Sequence, residues 1–192
     1  MTLTHFLGIG NPGTRSHVQA LTTTWPTTMN TTLAALAEFP DKRVADDAEV
    51  PAEFANWHPV SWNGIPSEPF TPIEQICHVR DVEIDGYHVR FRRTLEESNP
   101  ALLNLDGETL ARERHYANAD STKVLASFRR ARAMTLDLIS SLTPQQRART
   151  AEFDGVAVTA DGLVHLLCSH DQQHLAGLQW LLARIDAARL TG

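Results

Sequence analysis

The sequence predicts an all-α protein built as a four-helix bundle. Apolar residues recur at helical spacing in four long stretches, strong capping signals precede several of them, and few segments alternate as strands do. Two connections between the predicted helices are long, which favours a bundle with crossovers over the simplest up-and-down arrangement. The length of 192 residues suits one domain, so we predict a single domain over residues 1–192.

The first third of the chain is predicted to hold an irregular segment, one helix and a long connection. Residues 1–16 are irregular and contain the turn-forming sequence GIGNPGTR. A first helix is predicted over residues 17–39, where Pro26 either kinks the helix or marks its start. Residues 41–69 follow as a connection with four prolines and two tryptophans. Loops of this length are often functional, but we favour tryptophans that fasten the loop over the end of the bundle.

The second helix has the clearest start. Thr71 is a suitable N-cap, Pro72 suits the first helical position, and Glu74 completes a capping box. The helix is predicted to run to about Glu96. Its solvent face is predicted to carry three charged residues: Glu83, Arg90 and Arg93. The opposite face mixes apolar residues with polar ones that either pair with one another or line a pocket: Cys77, His78, Asp81, Ile84, Asp85, His88, Phe91, Arg92 and Leu95.

The remaining chain is predicted to contain two more long helices. Residues 97–119 form an irregular connection with a short helix at Gly107 to Tyr116. A third helix begins at Asp120 or Ser121 and carries a seam of regularly spaced residues: Val124, Phe128, Ala131, Thr135, Leu138 and Leu142. A turn or brief hairpin is predicted around Asp154-Gly155, and Thr159 then caps the fourth helix.

Two histidines lie in the middle of the apolar stripe of the fourth helix, residues 162–185. His170 and His174 are spaced i, i+4, which places their Cβ atoms roughly 5–6 Å apart on one face. Such a pair either binds one metal ion with a third ligand from elsewhere or consists of hydrogen-bonded core histidines. Asp171 follows His170 where the zinc-protease motif requires a glutamate, so that motif is excluded.

Composition excludes several classes of protein. The net charge of −6 argues against a nucleic-acid surface, and no apolar run has the roughly 20 residues of a membrane span. No signal peptide is apparent, and two cysteines do not form a disulfide framework. We therefore expect a cytoplasmic protein with a small-molecule substrate. The nine histidines are the one compositional hint of metal chemistry.

Three stretches resemble the DinB-like (YfiT-like) family of metal-dependent enzymes. They are PFTPIEQICHVRDVE at 69–83, GYHVRFRRTLEESNP at 86–100 and HLLCSHDQQHLAGLQWL at 165–181. The resemblance implies a four-helix bundle with up-down-down-up topology and a homodimer. It places the family's metal triad on His78, His170 and His174. Three imidazoles would leave one divalent metal with an open position; zinc or nickel is favoured, and iron or manganese is compatible.

The resemblance also implies a choice of functions. A metal-dependent enzyme is expected, either an S-transferase that uses a low-molecular-weight thiol as a second cofactor or a related hydrolase. The alternative is a non-catalytic, metal-stapled bundle protein of the stress response. Asp81 and Asp85 could orient a ligand imidazole or pair with Arg92, and Arg92 could instead bind a substrate carboxylate. The sequence assigns no catalytic acid or base.

Overall fold

The computed structural model describes residues 27–191 of the chain, so the predicted irregular segment 1–16 and the predicted helix start lie outside the described residues. In chain order the helices are α1 (Thr27–Ala48), α2 (Pro72–Asp81), α3 (His88–Glu96), α4 (Gly107–Glu113), α5 (Ser121–Ser141), α6 (Pro144–Arg147) and α7 (Ala160–Thr191). A π-helical segment, Val82–Tyr87, joins α2 to α3, and 3₁₀ turns lie at Ala52–Phe54 and Tyr116–Asn118. No helix of the described residues is both long enough and apolar enough to cross a membrane.

The long helices pack as a bundle, as predicted. Helix α1 packs against α5 and α7, and α2 packs against the same two helices. In an up-and-down bundle consecutive helices are neighbours, whereas here α1 and α2 each pack mainly against α5 and α7. The connection from α1 to α2 is therefore longer than the turn between two neighbouring helices. The apolar stripe of α7 is buried as predicted, at Leu163, Leu167, Leu178, Leu181 and Ile185. The directions of the helices, up-down-down-up, stay a prediction.

The structure also contains a small three-stranded sheet beside the predicted helices. Strand β1 (Ala101–Leu102) pairs in parallel with β2 (Thr150–Phe153), which pairs antiparallel with β3 (Val156–Thr159). Asp154 and Gly155, with φ of 49° and 78°, form the turn between β2 and β3. Positive φ at both central residues is the requirement of a type I′ hairpin turn, so the predicted hairpin is confirmed. The two-residue β1 has no sequence pattern, and a purely all-α prediction misses it.

Helix α1 extends beyond its predicted end at residue 39. It continues through Pro40 to Ala48, and the connection is correspondingly shorter. Proline lacks an N–H, so Pro40 leaves the carbonyl of Leu36 without its intrahelical donor. Arg132 Nη1 on α5 donates to that carbonyl at 3.0 Å. A tertiary hydrogen bond therefore permits a proline that would otherwise end the helix.

The π-helical segment explains an error in the predicted faces of the second helix. Arg90 is 3 % exposed and Glu83 is 1 % exposed, although both were expected on the solvent face. A π-helical turn inserts one residue, which rotates the following side chains by about 100° relative to an unbroken α-helix. Arg90 is thereby turned inward and Arg92 outward, where it is exposed. Glu83 lies within the segment, and Arg132 meets its carboxylate.

The predicted starts of the second, third and fourth helices are confirmed. The N–H and the hydroxyl of Thr71 both donate to Glu74 at 2.9 Å, which closes the capping box of α2. Asp120 accepts from the N–H of Lys123 at the start of α5. Thr159 accepts from the N–H of Gly162 at 3.0 Å, so α7 begins where its cap was predicted.

Candidate metal site

Three histidines converge at the interface between α2 and α7. His78 projects from α2, and His170 and His174 project from adjacent turns of α7. One potential ligand atom from each ring lies within 4.8 Å of the others, and His78 Nε2 is 3.4 Å from His170 Nε2. His78 and His174 are buried and His170 is partly buried. The structure thus brings together the three histidines that the sequence singled out.

Burial keeps the three rings neutral. It lowers the pKa of His78 to about 4, and it lowers the pKa of His170 and of His174 below the ordinary value of 6.5. The electrostatic effect of His174 adds to the effect of burial at His78 and His170. Desolvation disfavours the charged imidazolium, so each ring keeps a lone pair near neutral pH. The neutral imidazole is the form that binds a metal ion.

A buried glutamine fixes the proton of His174. Gln75 Oε1 contacts His174 Nδ1, and Gln75 Nε2 faces three oxygens: Ser67 Oγ at 2.9 Å and the carbonyls of Glu68 at 3.1 Å and Phe70 at 3.5 Å. The NH₂ group belongs on the side of those acceptors, so Oε1 must accept from His174 Nδ1–H. The lone pair of His174 is consequently on Nε2. Gln75 lies one turn before His78, and this spacing is the only sequence signal for it.

A glycine leaves room for the ring of His78. A Cβ on Gly107, the first residue of α4, would lie 2.8 Å from His78 Cε1 and 2.9 Å from His78 Nδ1. The ring of Phe70 packs on the imidazole of His78, with the centroids 5.1 Å apart. Within residues 27–191, His78 Nδ1, His170 Nδ1 and His174 Nε2 are buried without a hydrogen-bond partner. Buried polar atoms of this kind indicate a missing ligand, ion or water.

A pocket of about 250 Å³ opens onto His78 and His170. Arg90 forms part of its wall, with the guanidinium carbon 4.8 Å from the ring centre of Tyr87 and 4.5 Å from that of Phe153. Arg90 Nη2 donates to the carbonyl of Leu103 at 3.2 Å. No carboxylate in the described part of the chain forms an ion pair with Arg90, and its Nε is buried without a partner. The pocket wall therefore carries a guanidinium with no carboxylate at ion-pair distance, while Asp154 acts on it electrostatically and the carboxylate of Glu68 lies elsewhere in the same wall.

A carboxylate from the long connection reaches the same histidines. Glu68 Oε2 lies 3.0 Å from His174 Nε2, and Glu68 Oε1 lies 3.8 Å from His78 Nε2. About half of this side chain is exposed. Sequence reasoning missed Glu68, because nothing in a loop sequence indicates which helix the loop contacts.

Three polar residues of the second helix, for which the sequence suggested roles near the metal or substrate, have other contacts in the structure. Asp81 is buried, but it accepts from Tyr116 Oη and Arg80 Nε at 2.6 Å, and neither Asp81 nor Asp85 has a hydrogen bond to a histidine. Arg114 bridges the two aspartates, at 2.8 Å from Asp81 and 2.6 Å from Asp85. Arg92 pairs with neither aspartate and does not line the pocket. Arg114 and Tyr116, in the segment after α4, supply partners for the two aspartates. The π-helical turn directs Arg92 to solvent.

A buried ion network lies behind the three histidines. Arg132 on α5 donates to Glu83 through Nε and Nη2 and to Asp171 through Nη1 and Nη2, at 2.6–3.1 Å. Together with the carbonyl of Leu36, these contacts connect α1, the π-helical segment, α5 and α7. Burial raises the pKa of Asp171 to about 7. Asp171 directly follows His170, so the network fixes the rotation of α7 that presents the histidine.

The fold and the site define a helical-bundle protein with a candidate metal centre. The family model of the DinB superfamily matches residues 30–178, and the chain belongs to this superfamily. Among solved structures, YfiT from Bacillus subtilis is similar, with a TM-score of 0.73 at 20% sequence identity. The match covers 85% of this chain and 91% of YfiT, which is described as a probable metal-dependent hydrolase with an unusual four-helix bundle topology. No curated protein sequence matches the chain.

Proposed function

We propose that this protein is a metal-dependent hydrolase in which His78, His170 and His174 hold one divalent metal ion. The observation that carries the proposal is the convergence of three neutral imidazoles whose ligand atoms lie within 4.8 Å of one another. His174 Nε2, which is buried without a hydrogen-bond partner, fits a bound ion. The description of YfiT as a probable metal-dependent hydrolase supports the same class of reaction.

The metal and the pocket suit hydrolysis of a small molecule. A divalent metal on three imidazoles acts as a Lewis acid and lowers the pKa of a bound water toward about 7. Imidazole discriminates weakly among metals; we favour zinc or nickel, and iron and manganese remain compatible. The chain orients His174 through Gln75 and shields the rings inside the bundle. The pocket of about 250 Å³ lies below the usual size of drug-binding pockets, which favours a small substrate.

The charge of Arg90 narrows the class of substrate. This guanidinium lies in the wall of the pocket without a carboxylate partner among the described residues. A buried charge is costly unless an opposite charge meets it, so a negatively charged group on the substrate would be stabilised here. One guanidinium suits a carboxylate monoanion, whereas a phosphate dianion normally has several cationic and N–H partners. We therefore favour a carboxylate-bearing substrate.

Two alternatives have less support. Thiol transfer follows from the family resemblance, and no contact in the pocket favours a thiol over water. A non-catalytic metal staple would use the same three histidines and would make the metal purely structural. The pocket favours an enzyme, because a structural site needs no cavity that reaches two of its ligands.

Elemental analysis of protein purified without added metal tests the proposal. We expect about one divalent metal per chain in the wild type and its loss in His78→Ala. His165→Ala is the matched control, because His165 lies on α7 but is exposed and outside the cluster. Metal-free wild type after reconstitution, or full metal in His78→Ala, would overturn the metal site. Tight metal binding without turnover of carboxylate-bearing esters and amides would favour the structural staple.

A further inference from the structure

Glu68 lies beside the three histidines but is not one of the three proposed metal ligands. It lies near the end of the connection between α1 and α2, three residues before the N-cap of α2. Its two carboxylate oxygens approach Nε2 of His174 at 3.0 Å and Nε2 of His78 at 3.8 Å. Both nitrogens belong to the histidine cluster, so one carboxylate faces two candidate metal ligands.

The contact with His174 lacks a proton between its two atoms. Gln75 fixes the proton of His174 on Nδ1, which leaves a lone pair on Nε2. A carboxylate oxygen 3.0 Å from that lone pair places two acceptors against each other, which is unfavourable unless a cation lies between them. A second proton on His174 would provide this cation. It would also create a buried imidazolium beside two further histidines, which desolvation opposes.

Three distances among the four groups lie close to the spacing of ligands around a single metal ion. In a tetrahedral site with metal–nitrogen bonds of about 2.0–2.1 Å, ligand atoms lie about 3.3–3.4 Å apart. His78 Nε2 and His170 Nε2 are 3.4 Å apart, and the two distances from Glu68 lie on either side of that value. A carboxylate oxygen is also an ordinary ligand for the divalent metals that bind imidazole.

We infer that Glu68 is a fourth, protein-supplied ligand, so that the resting site contains three histidines and one carboxylate. This inference rests on the proposed function, and it changes the open three-histidine site expected from the sequence. The exposed side chain of Glu68 sits on a connection rather than on a helix. It is therefore the ligand that can leave without moving the bundle, which would open the position for the water that the proposed hydrolysis requires.

The connection is held in the position that this role requires. Gln75 Nε2 donates to Ser67 Oγ and to the carbonyl of Glu68, so the residue that orients His174 also holds the main chain of Glu68. Ser67 lies against Gly177 on α7, where an added Cβ would come within 2.9 Å of Ser67 Cβ. The absence of a side chain at Gly177 lets the connection approach α7 one turn after His174. Gly177→Ala would therefore displace the loop that carries Glu68 without substituting any of the four ligand residues.

Metal affinity and spectroscopy of loaded protein test this inference. The metal-free wild type, Glu68→Gln, Gly177→Ala and the control Glu53→Gln, an exposed acid on the same connection, are loaded with Zn²⁺ or Co²⁺. Chelator competition gives the dissociation constants, and the visible absorption of Co²⁺ reports the ligand set. We expect Glu68→Gln to bind at least about 10-fold more weakly and to change the Co²⁺ spectrum, since loss of a supporting group alone costs 10–100-fold. Gly177→Ala should also weaken metal binding and change the Co²⁺ spectrum. Glu53→Gln should match the wild type in both measurements.

The outcomes separate the two proposals. If the wild type binds metal and Glu68→Gln has the same affinity and the same Co²⁺ spectrum, Glu68 is not a ligand and the three-histidine site stands. If the wild type binds no metal, the proposed function fails together with this inference. Because Glu68 is half exposed, its replacement by the isosteric glutamine should leave the fold intact, which circular dichroism checks.

Discussion

Arg132 Nη1 donates to Asp171 Oδ2 at 2.6 Å, and this ion pair lies directly behind the first histidine of α7. The same guanidinium meets Glu83 and the carbonyl that Pro40 leaves free on Leu36. One side chain thus connects four helical segments at the level of the site. His170 and His174 come from α7, one of those segments, and His78 lies on α2, which continues directly into the π-helical segment. The mutual position of the three histidines therefore depends on this buried network.

Replacing Arg132 should destabilise the protein strongly. Arg132→Met keeps much of the volume but leaves Glu83 and Asp171 buried without a cation, which typically costs about 3–5 kcal/mol. Urea unfolding of the metal-free protein measures the loss. Arg129→Met, one turn away on the exposed side of α5, should cost less than about 1 kcal/mol, as expected for a surface ion pair. Equal losses in the two variants would show that the network contributes little.

The metal-free protein should lose stability as the pH falls from about 6.5 toward 4. The pKa of His78 is about 4 in the folded protein, and its ordinary value is 6.5. In this window the unfolded chain binds a proton that the native state does not, so stability rises with pH. Each histidine with such a lowered pKa changes the free energy of unfolding by up to about 1.4 kcal/mol per pH unit in this window.

Comparison with a variant isolates this effect. Asp171 acts in the opposite direction, because its pKa is raised to about 7 and the native state binds the extra proton. The unfolding free energy of His78→Gln should therefore depend less on pH than that of the wild type between pH 6.5 and 4, with chelator present throughout. Identical slopes would contradict the neutral, buried state of His78.

Gly107→Ala should weaken metal binding without straining the backbone of α4. The φ angle of Gly107 is not positive, and alanine is the better helix former by up to about 1 kcal/mol. The added Cβ would nevertheless lie 2.8 Å from His78 Cε1, so the imidazole has to move. We expect at least a 10-fold weaker Zn²⁺ affinity by chelator competition. Glu108→Ala, at the next and exposed position of α4, should bind as the wild type does; wild-type affinity in Gly107→Ala would show that His78 is not needed in its present position.

Local signals in the sequence predicted much of this architecture. Caps at Thr71, Asp120 and Thr159 depend on residues within one turn, and the structure confirms all three. The pair His170 and His174 was placed on one face by helical spacing alone. The link to His78 required the family resemblance, because helical periodicity alone did not distinguish that residue from the other polar residues on its face.

Interactions between distant segments and one irregular helical turn account for what the sequence could not predict. The end of α1 depends on Arg132, which lies far along the chain from Pro40. The inward position of Arg90 depends on a π-helical turn, for which hydrophobic periodicity gives no signal. Glu68 reaches the histidines through a loop whose path is set by Gln75 and Gly177. Each of these features belongs to the candidate site or to the network behind it.

Arg90 gives the most direct test of the substrate class. In Arg90→Met the aliphatic chain can still pack between Tyr87 and Phe153, but the positive charge of the pocket wall is lost. Metal-loaded protein should then bind small monocarboxylates such as propionate and butyrate at least 10-fold more weakly by calorimetry, in the range of a charged hydrogen bond of about 1.5–3 kcal/mol. Its Zn²⁺ content should remain that of the wild type, because Arg90 is not a ligand.

Arg92→Met is the matched control: this arginine lies on the same helix, two residues further on, but is exposed and outside the pocket. Weakened carboxylate binding in Arg92→Met, or unchanged binding in Arg90→Met, would remove Arg90 as the group that recognises the anion.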